Sequence, residues 1–352
     1  MENAEGKNPS QEEPVEQKPP NKKKDPREKL YKPDHQPFVL TSSPHDYQKT
    51  TVPKIMWSVI AALVPASAAS LYYFGIEALW LIIACTLSAA ITEAIINLIK
   101  KEESTLLDGS AVITGLLLAL TLPPSLPITS AIFGSVFAIA IGKQIFGGLG
   151  FNIFNPALVG RAFLQAAFPV AMTTWTFPQT LEYAGQDAVT AATPLGLFKF
   201  EKVAPDYYNL LTGNIGGSLG ETSALAILAG GLFLLLMKYA DWRIPTAYLG
   251  TVFVVGGAFY LMFPGQYPDP LFHILSGGVL LGAFFMATDM VTSPITPRGS
   301  WIFGICAGIL LIIIRLFGGL PEGVMYSILL MNAFTPLINR LTRPRFLGEV
   351  KA

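Results

Sequence analysis

Cysteine and histidine are scarce in this chain, and charge is sparser than a soluble surface requires. Two cysteines occur, Cys85 and Cys306, each inside an apolar run, which excludes a disulfide framework and a thiolate metal cluster. The histidines His35, His45 and His273 are scattered singly, so no metal site is expected. Only 14% of the 352 residues are charged while 51% are hydrophobic, a balance that belongs to polytopic membrane proteins. The formal net charge of zero says little about partners, since the placement of charge relative to the apolar runs carries the information; in a chain of this class no nucleic-acid partner is expected. The N-terminus also lacks the basic, apolar, small-residue order of a cleaved leader, so the first apolar run is expected to stay in the mature protein.

What is present begins with a polar tail. Residues 1–37 are rich in Glu, Lys, Pro, Asn and Gln and contain the basic run Lys22-Lys23-Lys24-Asp-Pro-Arg27, a composition that predicts disorder. Residues 38–352 are read as a membrane domain with transmembrane helices at about 54–74, 78–100, 108–122, 128–147, 155–172, 222–238, 245–263, 271–288, 300–317 and 322–339. Several are shorter than the usual requirement of about 20 residues. The third is interrupted by Leu122-Pro123-Pro124, and the eighth stops at Thr288-Asp289 before Ser293-Pro294. Short, broken helices in matching positions point to a binding site between repeats.

The two halves do match. Gly109-Ser-Ala-Val-Ile-Thr-Gly115 followed by Pro127-Ile-Thr129 parallels Ser276-Gly-Gly-Val-Leu-Leu-Gly282 followed by Pro294-Ile-Thr296, at one constant spacing without gaps. Ile145-Phe-Gly-Gly-Leu149 recurs as Leu316-Phe-Gly-Gly-Leu320, and Asn155-Pro156 is echoed by Asn332 and Pro336. The third helix therefore pairs with the eighth. An odd number of helices between equivalent positions turns the second half upside down, which predicts an all-α membrane protein of about ten helices in two inverted five-helix repeats, about 50–172 and 222–340. Lys100, Lys101, Lys143, Lys238, Arg243, Arg298, Arg340, Arg343 and Arg345 fall on one side if the tail is cytoplasmic; Arg315, Lys199 and Lys202 are exceptions. Both termini are then cytoplasmic, and the hydrophilic loop at 173–221 lies outside.

Near the middle of that loop lies Asp187-Ala-Val-Thr-Ala-Ala-Thr-Pro-Leu-Gly196. It displays two threonines, with no His or Cys nearby to activate a hydroxyl. A displayed but unactivated threonine fits a residue modified by another protein better than a nucleophile, while a turn with a helix cap accounts for the same composition.

Taken together, Thr50-Thr51-Val-Pro-Lys-Ile-Met56, Asp108-Gly-Ser110, Gly147-Gly-Leu-Gly-Phe-Asn-Ile-Phe-Asn-Pro-Ala157, the Asp187 stretch and Ala287-Thr-Asp-Met-Val-Thr-Ser-Pro294 resemble one family. It holds the D subunit of the Rnf ion-translocating electron-transport complex and the B subunit of the sodium-pumping NADH:quinone oxidoreductase. The likeness runs from about Pro44 to Pro336. The resemblance implies a translocase subunit of the cell's inner membrane, inactive alone, working with the other Rnf subunits and with lipid around it. It implies FMN joined through its phosphate to Thr193 by a separate flavin transferase that recognises Asp187 and Thr190. Ala191 stands where the family usually has glycine, and a methyl there leaves attachment open. It also implies a noncovalent riboflavin, for which Asn152 and Asn155 are the best-placed polar groups; Asn155 before Pro156 equally has the order of a helix start. The flavin carries the redox chemistry and the protein supplies position and field, coupled to movement of Na+ or H+.

Ionisable groups in apolar surroundings are candidates for the ion path. Glu93, Asp108 and Asp289 are named for it, with helix capping as the other reading of Asp108 and a polar helix end that of Asp289. Glu93 needs a cation, a donor or water beside it, and Ser88 and Thr92 are read as sharing its inward face. No side chain is assigned a catalytic role. A second class stays open at this point, a urea- or ammonium-type channel or carrier, because an inverted repeat serves those as well; within the first class, the B-type subunit of the sodium-pumping oxidoreductase is the alternative.

Overall fold

A computed structural model describes residues 50–101, 105–178, 190–203, 206–319 and 321–344. The expected tail at 1–37, Asp187 and Arg345 lie outside the described residues, and of Thr190 only the backbone is described.

Helix α1, Val52–Phe74, starts with Pro53 in its first turn, where the missing N–H has no partner to lose. It stops at Gly75, whose φ of +65 suits glycine, and α2, Ile76–Lys100, begins at the next residue. The buried stripe of α2 is Leu81, Cys85, Ala89, Glu93 and Asn97, a strict four-residue repeat facing the interior. Its other side exposes Trp80, Leu87, Ile91, Ile95 and Leu98, as a lipid-facing surface does. Among the described residues, five helices are long and apolar enough to cross a membrane: Val52–Phe74, Ile76–Lys100, Ile128–Phe146, Arg243–Met262 and Pro297–Phe317. The molecule is a multi-pass, all-α membrane protein.

The remaining expected positions also carry helices, several of them short or broken. The first half continues with α3 (Ser110–Leu120), α4 (Ile128–Ala140), α5 (Pro156–Ala167) and α6 (Pro169–Thr173). The loop region holds α7 (Pro194–Glu201) and α8 (Tyr207–Thr212). The second half holds α9 (Ala224–Leu236), α10 (Arg243–Met262), α11 (Pro270–Leu275), α12 (Val279–Leu281), α13 (Pro297–Phe317) and α14 (Val324–Thr342). Among the described residues the all-α expectation is relieved only by a two-residue antiparallel pairing, β1 (Trp175–Thr176) with β2 (Thr190–Ala191), which sets Thr176 opposite Thr190.

The break expected at Leu122-Pro123-Pro124 is present, the eighth helical stretch stops at Met286 close to the expected Thr288-Asp289, and a further, unexpected break divides it. Helix α3 ends before Leu122-Pro-Pro, and the freed Leu122 carbonyl accepts from Leu219 N–H at 3.1 Å. Where sequence predicts one eighth helix, α11 and α12 are separate and α12 runs into a π turn, Gly282–Met286. Such turns recur at functional sites because they redirect backbone groups.

Helix α2 packs on α3 and α4, and α4 on α5; α10 packs on α13, and α13 on α14. Lipid offers no hydrophobic drive between helices, so close approach of small residues matters. A Cβ on Gly304 would lie 2.6 Å from Ala247 Cβ, and one on Gly308 2.9 Å from the Tyr248 carbonyl, which is how α13 meets α10.

Candidate functional site

The loop threonine is built into a helix start. Thr193 has extended backbone before Pro194, and its Oγ accepts from Gly196 N–H at 3.1 Å, capping α7. Sequence suggests a displayed side chain; instead Thr193 is buried, with 6% of its surface exposed. What it opens onto is a cavity of about 530 Å³ lined by Arg161, Gln165, Trp175, Phe200, Glu322 and Tyr326 among others. That volume lies within the roughly 300–1,000 Å³ range of small-molecule sites. Aromatic rings suit a flat heterocycle, Arg161 and Gln165 offer donors, and the positive end of a helix suits a phosphate beside the threonine. Nearby, Lys199 on α7 has its pKa lowered by burial, which disfavours its charged form.

Arg161, on α5, does not stand out in the sequence. Its Nη1 donates to the Thr121 carbonyl at 2.6 Å, at the broken end of α3, and its Nη2 pairs with Glu322 just before α14. One guanidinium thus joins the break in the first half to the start of the last helix. Glu221, buried in the turn ahead of α9, faces the same place. The available signal was a lone arginine within the apolar stretch at 155–172.

Glu93 has the cation it needs. It is fully buried and bonds Lys143 Nζ through both oxygens, at 2.9 and 2.7 Å, and accepts from Thr105 as well. Lys143 also donates to Ser110 Oγ at 2.6 Å, and Ser110 Oγ donates to Asp108 Oδ1 at 2.5 Å. Asn97 completes the row by donating to Thr105 at 2.9 Å. Ser88 and Thr92 do not share this face, contrary to the expectation: their hydroxyls bond Ala84 O and Ser88 O of their own helix, each at 2.6 Å. Asp108 accepts from Ser110 N–H at 2.7 Å, the capping role, while belonging to the Glu93 network through the same serine.

The remaining candidates meet at a cavity of about 80 Å³ lined by Lys143, Asn152, Asn155, Thr288 and Asp289 among others. Asn155 is spent on structure: its Oδ1 caps α5 through Ala157 and Leu158 N–H, and its Nδ2 reaches the Met286 carbonyl at 3.3 Å. Asn152 donates to Phe154 O, and its buried Oδ1 has no partner among the described residues. Asp289 accepts from Thr292 Oγ1 at 3.0 Å and from Val291 N–H. No group of three or more metal-ligating side chains occurs among the described residues.

Broken helices from two halves of the chain, an ion pair where they meet, and a threonine opening on a ligand-sized cavity define a membrane protein with internal sites, more than a lipid anchor. The family described as NQR2, RnfD, RnfE matches residues 39–348, and the chain belongs to it. It is 48% identical over 320 residues to the D subunit of the proton-translocating ferredoxin:NAD(+) oxidoreductase complex of Clostridium ljungdahlii, covering 87% of this chain and 95% of that protein. It is 49% identical to the D subunit of the Na(+)-translocating ferredoxin:NAD(+) oxidoreductase complex of Acetobacterium woodii, over 89% and 96% of the two chains. The corresponding D subunit of the ion-translocating oxidoreductase complex of Escherichia coli is 38% identical, over 89% and 99%.

Proposed function

We propose that this chain is the D-type membrane subunit of an ion-translocating ferredoxin:NAD-type oxidoreductase complex, carrying FMN on Thr193. The chain is a subunit of a multi-subunit oxidoreductase that moves ions, as its family and relatives are named, and the channel or carrier reading lapses with that membership. The observation that carries the flavin assignment is Thr193 at the start of α7, opening on a cavity of about 530 Å³. FMN supplies one- and two-electron redox chemistry when bound. The chain's part would be to hold the phosphate at the start of α7, with Trp175 and Tyr326 lining the cavity for the ring and Arg161 and Glu322 setting the field. Asp187 and Thr190 serve the transferase that attaches it.

Denatured protein in a gel should fluoresce under ultraviolet light, and Thr193→Ala should abolish the signal; fluorescence that survives the substitution would refute the attachment site. The same proposal puts a noncovalent riboflavin beside Asn152. The surrounding side chains must move apart for it, because about 80 Å³ is far below the room a flavin ring needs; native mass spectrometry that finds a single flavin removes it.

The proposal includes ten helices in two inverted repeats, with both termini cytoplasmic and the Thr193 loop outside, in the inner membrane. Corresponding packing of α2, α3, α4 and α5 in one half and α10, α13 and α14 in the other supports it. Alkaline phosphatase should be active when fused near Lys202 and silent after Lys351; the opposite pattern would invert the orientation. Glu93, Asp108 and Asp289 are assigned to the ion path on the cytoplasmic side.

A further inference from the structure

Beside the Thr193 cavity lies a second, far smaller one. About 20 Å³ is enclosed by Thr121, Arg161, Ser218, Glu221, Gly278 and Glu322, where the break of α3 meets the starts of α9 and α14. A space of that size holds about one water or one small ion. Three buried oxygens around it have no hydrogen-bond partner among the described residues: Ser218 Oγ, Glu221 Oε1 and Glu322 Oε1. Ser218 is fully buried and Glu221 is 6% exposed, so bulk water does not serve them. The backbone crowds Glu221 closely: a Cβ on Gly278 would lie 3.2 Å from its Oε1 and one on Gly217 3.2 Å from its Oε2.

The charges facing Glu221 do not neutralise it by contact. Arg161, from α5, is committed to Glu322 and to the Thr121 carbonyl. Arg315, from α13, is held by the His273 and Ser276 carbonyls at 2.6 and 2.9 Å and acts on Glu221 only at longer range. Glu322 is of like sign. Glu221 therefore makes no ion pair among the described residues, and a buried carboxylate without a cation in contact is costly.

Three occupants would relieve that cost in part or whole: a water, which donates to the oxygens but leaves the charge in place, a metal cation, or a proton on the carboxyl itself. Hard cations take roughly six or more oxygens, and three free oxygens fall well short of that number. A proton needs one oxygen to hold it and one to receive the hydrogen bond. We propose that Glu221 holds an exchangeable proton, its carboxyl O–H directed to Glu322 or Ser218, making this cluster a buried proton site. The proton comes from and returns to water on the side of the larger cavity, since Arg161 and Glu322 line both spaces. The site does not depend on the flavin reading, because it is defined without Thr193.

Infrared difference spectroscopy on the full-length chain purified in its complex tests this. At neutral pH, wild type minus Glu221→Gln should show the carbonyl stretch of a protonated carboxylic acid, shifted in D2O, and the same band should appear when both chains also carry Thr193→Ala. The exposed Glu77→Gln should leave it in place. Should Glu221→Gln fail to assemble, carboxyl-labelled glutamate in the unmodified chain should move the band. Absence of the band, a band unmoved by label or substitution, or its loss on adding sodium chloride at fixed pH would overturn the proposal, the last by showing a metal cation in the proton's place.

Discussion

Among the described residues one carboxylate–cation pair is fully buried, Glu93 with Lys143, and another is partly so, Arg161 with Glu322, and they are finished differently. Around Glu93 and Lys143 the donors and acceptors are matched: both carboxylate oxygens reach the ammonium, which also holds Ser110, and Thr105 and Asn97 extend the row. Around Arg161 and Glu322 three oxygens are left over. A closed network fixes helices, since any change in it leaves a charge unpaired. An open one has capacity for something that comes and goes. The difference assigns rigidity to the first site and exchange to the second, and it also sets a condition on ion movement past Glu93: the pair with Lys143 has to part.

The largest test of that contrast removes one member of the closed pair. Lys143→Met leaves Glu93 buried without its cation and should destabilise the chain by about 3–5 kcal/mol, the usual range for a broken buried pair. Chaotrope titration of the purified complex reads it. Adding Glu93→Gln to that variant should recover most of the loss; a double variant no more stable than the single one would mean that the pair is not a unit. If Glu93 also serves the ion path, the recovered double variant keeps its flavin and still loses sodium- or proton-coupled electron transfer in reconstituted vesicles. Full transport in that variant would leave the pair a purely structural role.

A smaller effect is expected at the open site. Glu221→Gln replaces a neutral acid with a neutral amide of the same shape, so the stability change should be about 1 kcal/mol or less. A loss as large as that of Lys143→Met would mean that Glu221 is ionised and paired, erasing the difference between the two sites.

Much of this architecture was legible in the order of residues. Apolar runs placed the helices, and Leu122-Pro123-Pro124 marked the break in α3 because proline can neither continue the helix nor donate to it. Glu93 was recognisable as a buried group needing a cation. Its partner was not, since Lys143 lies at the end of another helix and reads as an interfacial charge until α4 is packed on α2. Ser88 and Thr92 misled for a local reason: in apolar surroundings a helical hydroxyl is satisfied by the carbonyl one turn back, which removes it from the interior network. Loop composition suggested an outward Thr193, whereas a threonine before proline caps α7 and is drawn under it. Glu221 and Glu322 sit at helix starts, where carboxylates are ordinary, and only the convergence of three chain segments on Arg161 distinguishes them.

The single residue between α1 and α2 has a consequence for biogenesis. Gly75 reverses the chain with no slack and no charge of its own, so two apolar helices of 23 and 25 residues leave the ribosome as one hairpin. A translocon receiving that hairpin has only Glu77, in the first turn of α2, as a polar group to hold on one side while the first helix settles. The pair is therefore expected to partition into lipid together, and the proposed orientation requires that Lys100 and Lys101, at the far end of α2, be retained on the side where synthesis takes place.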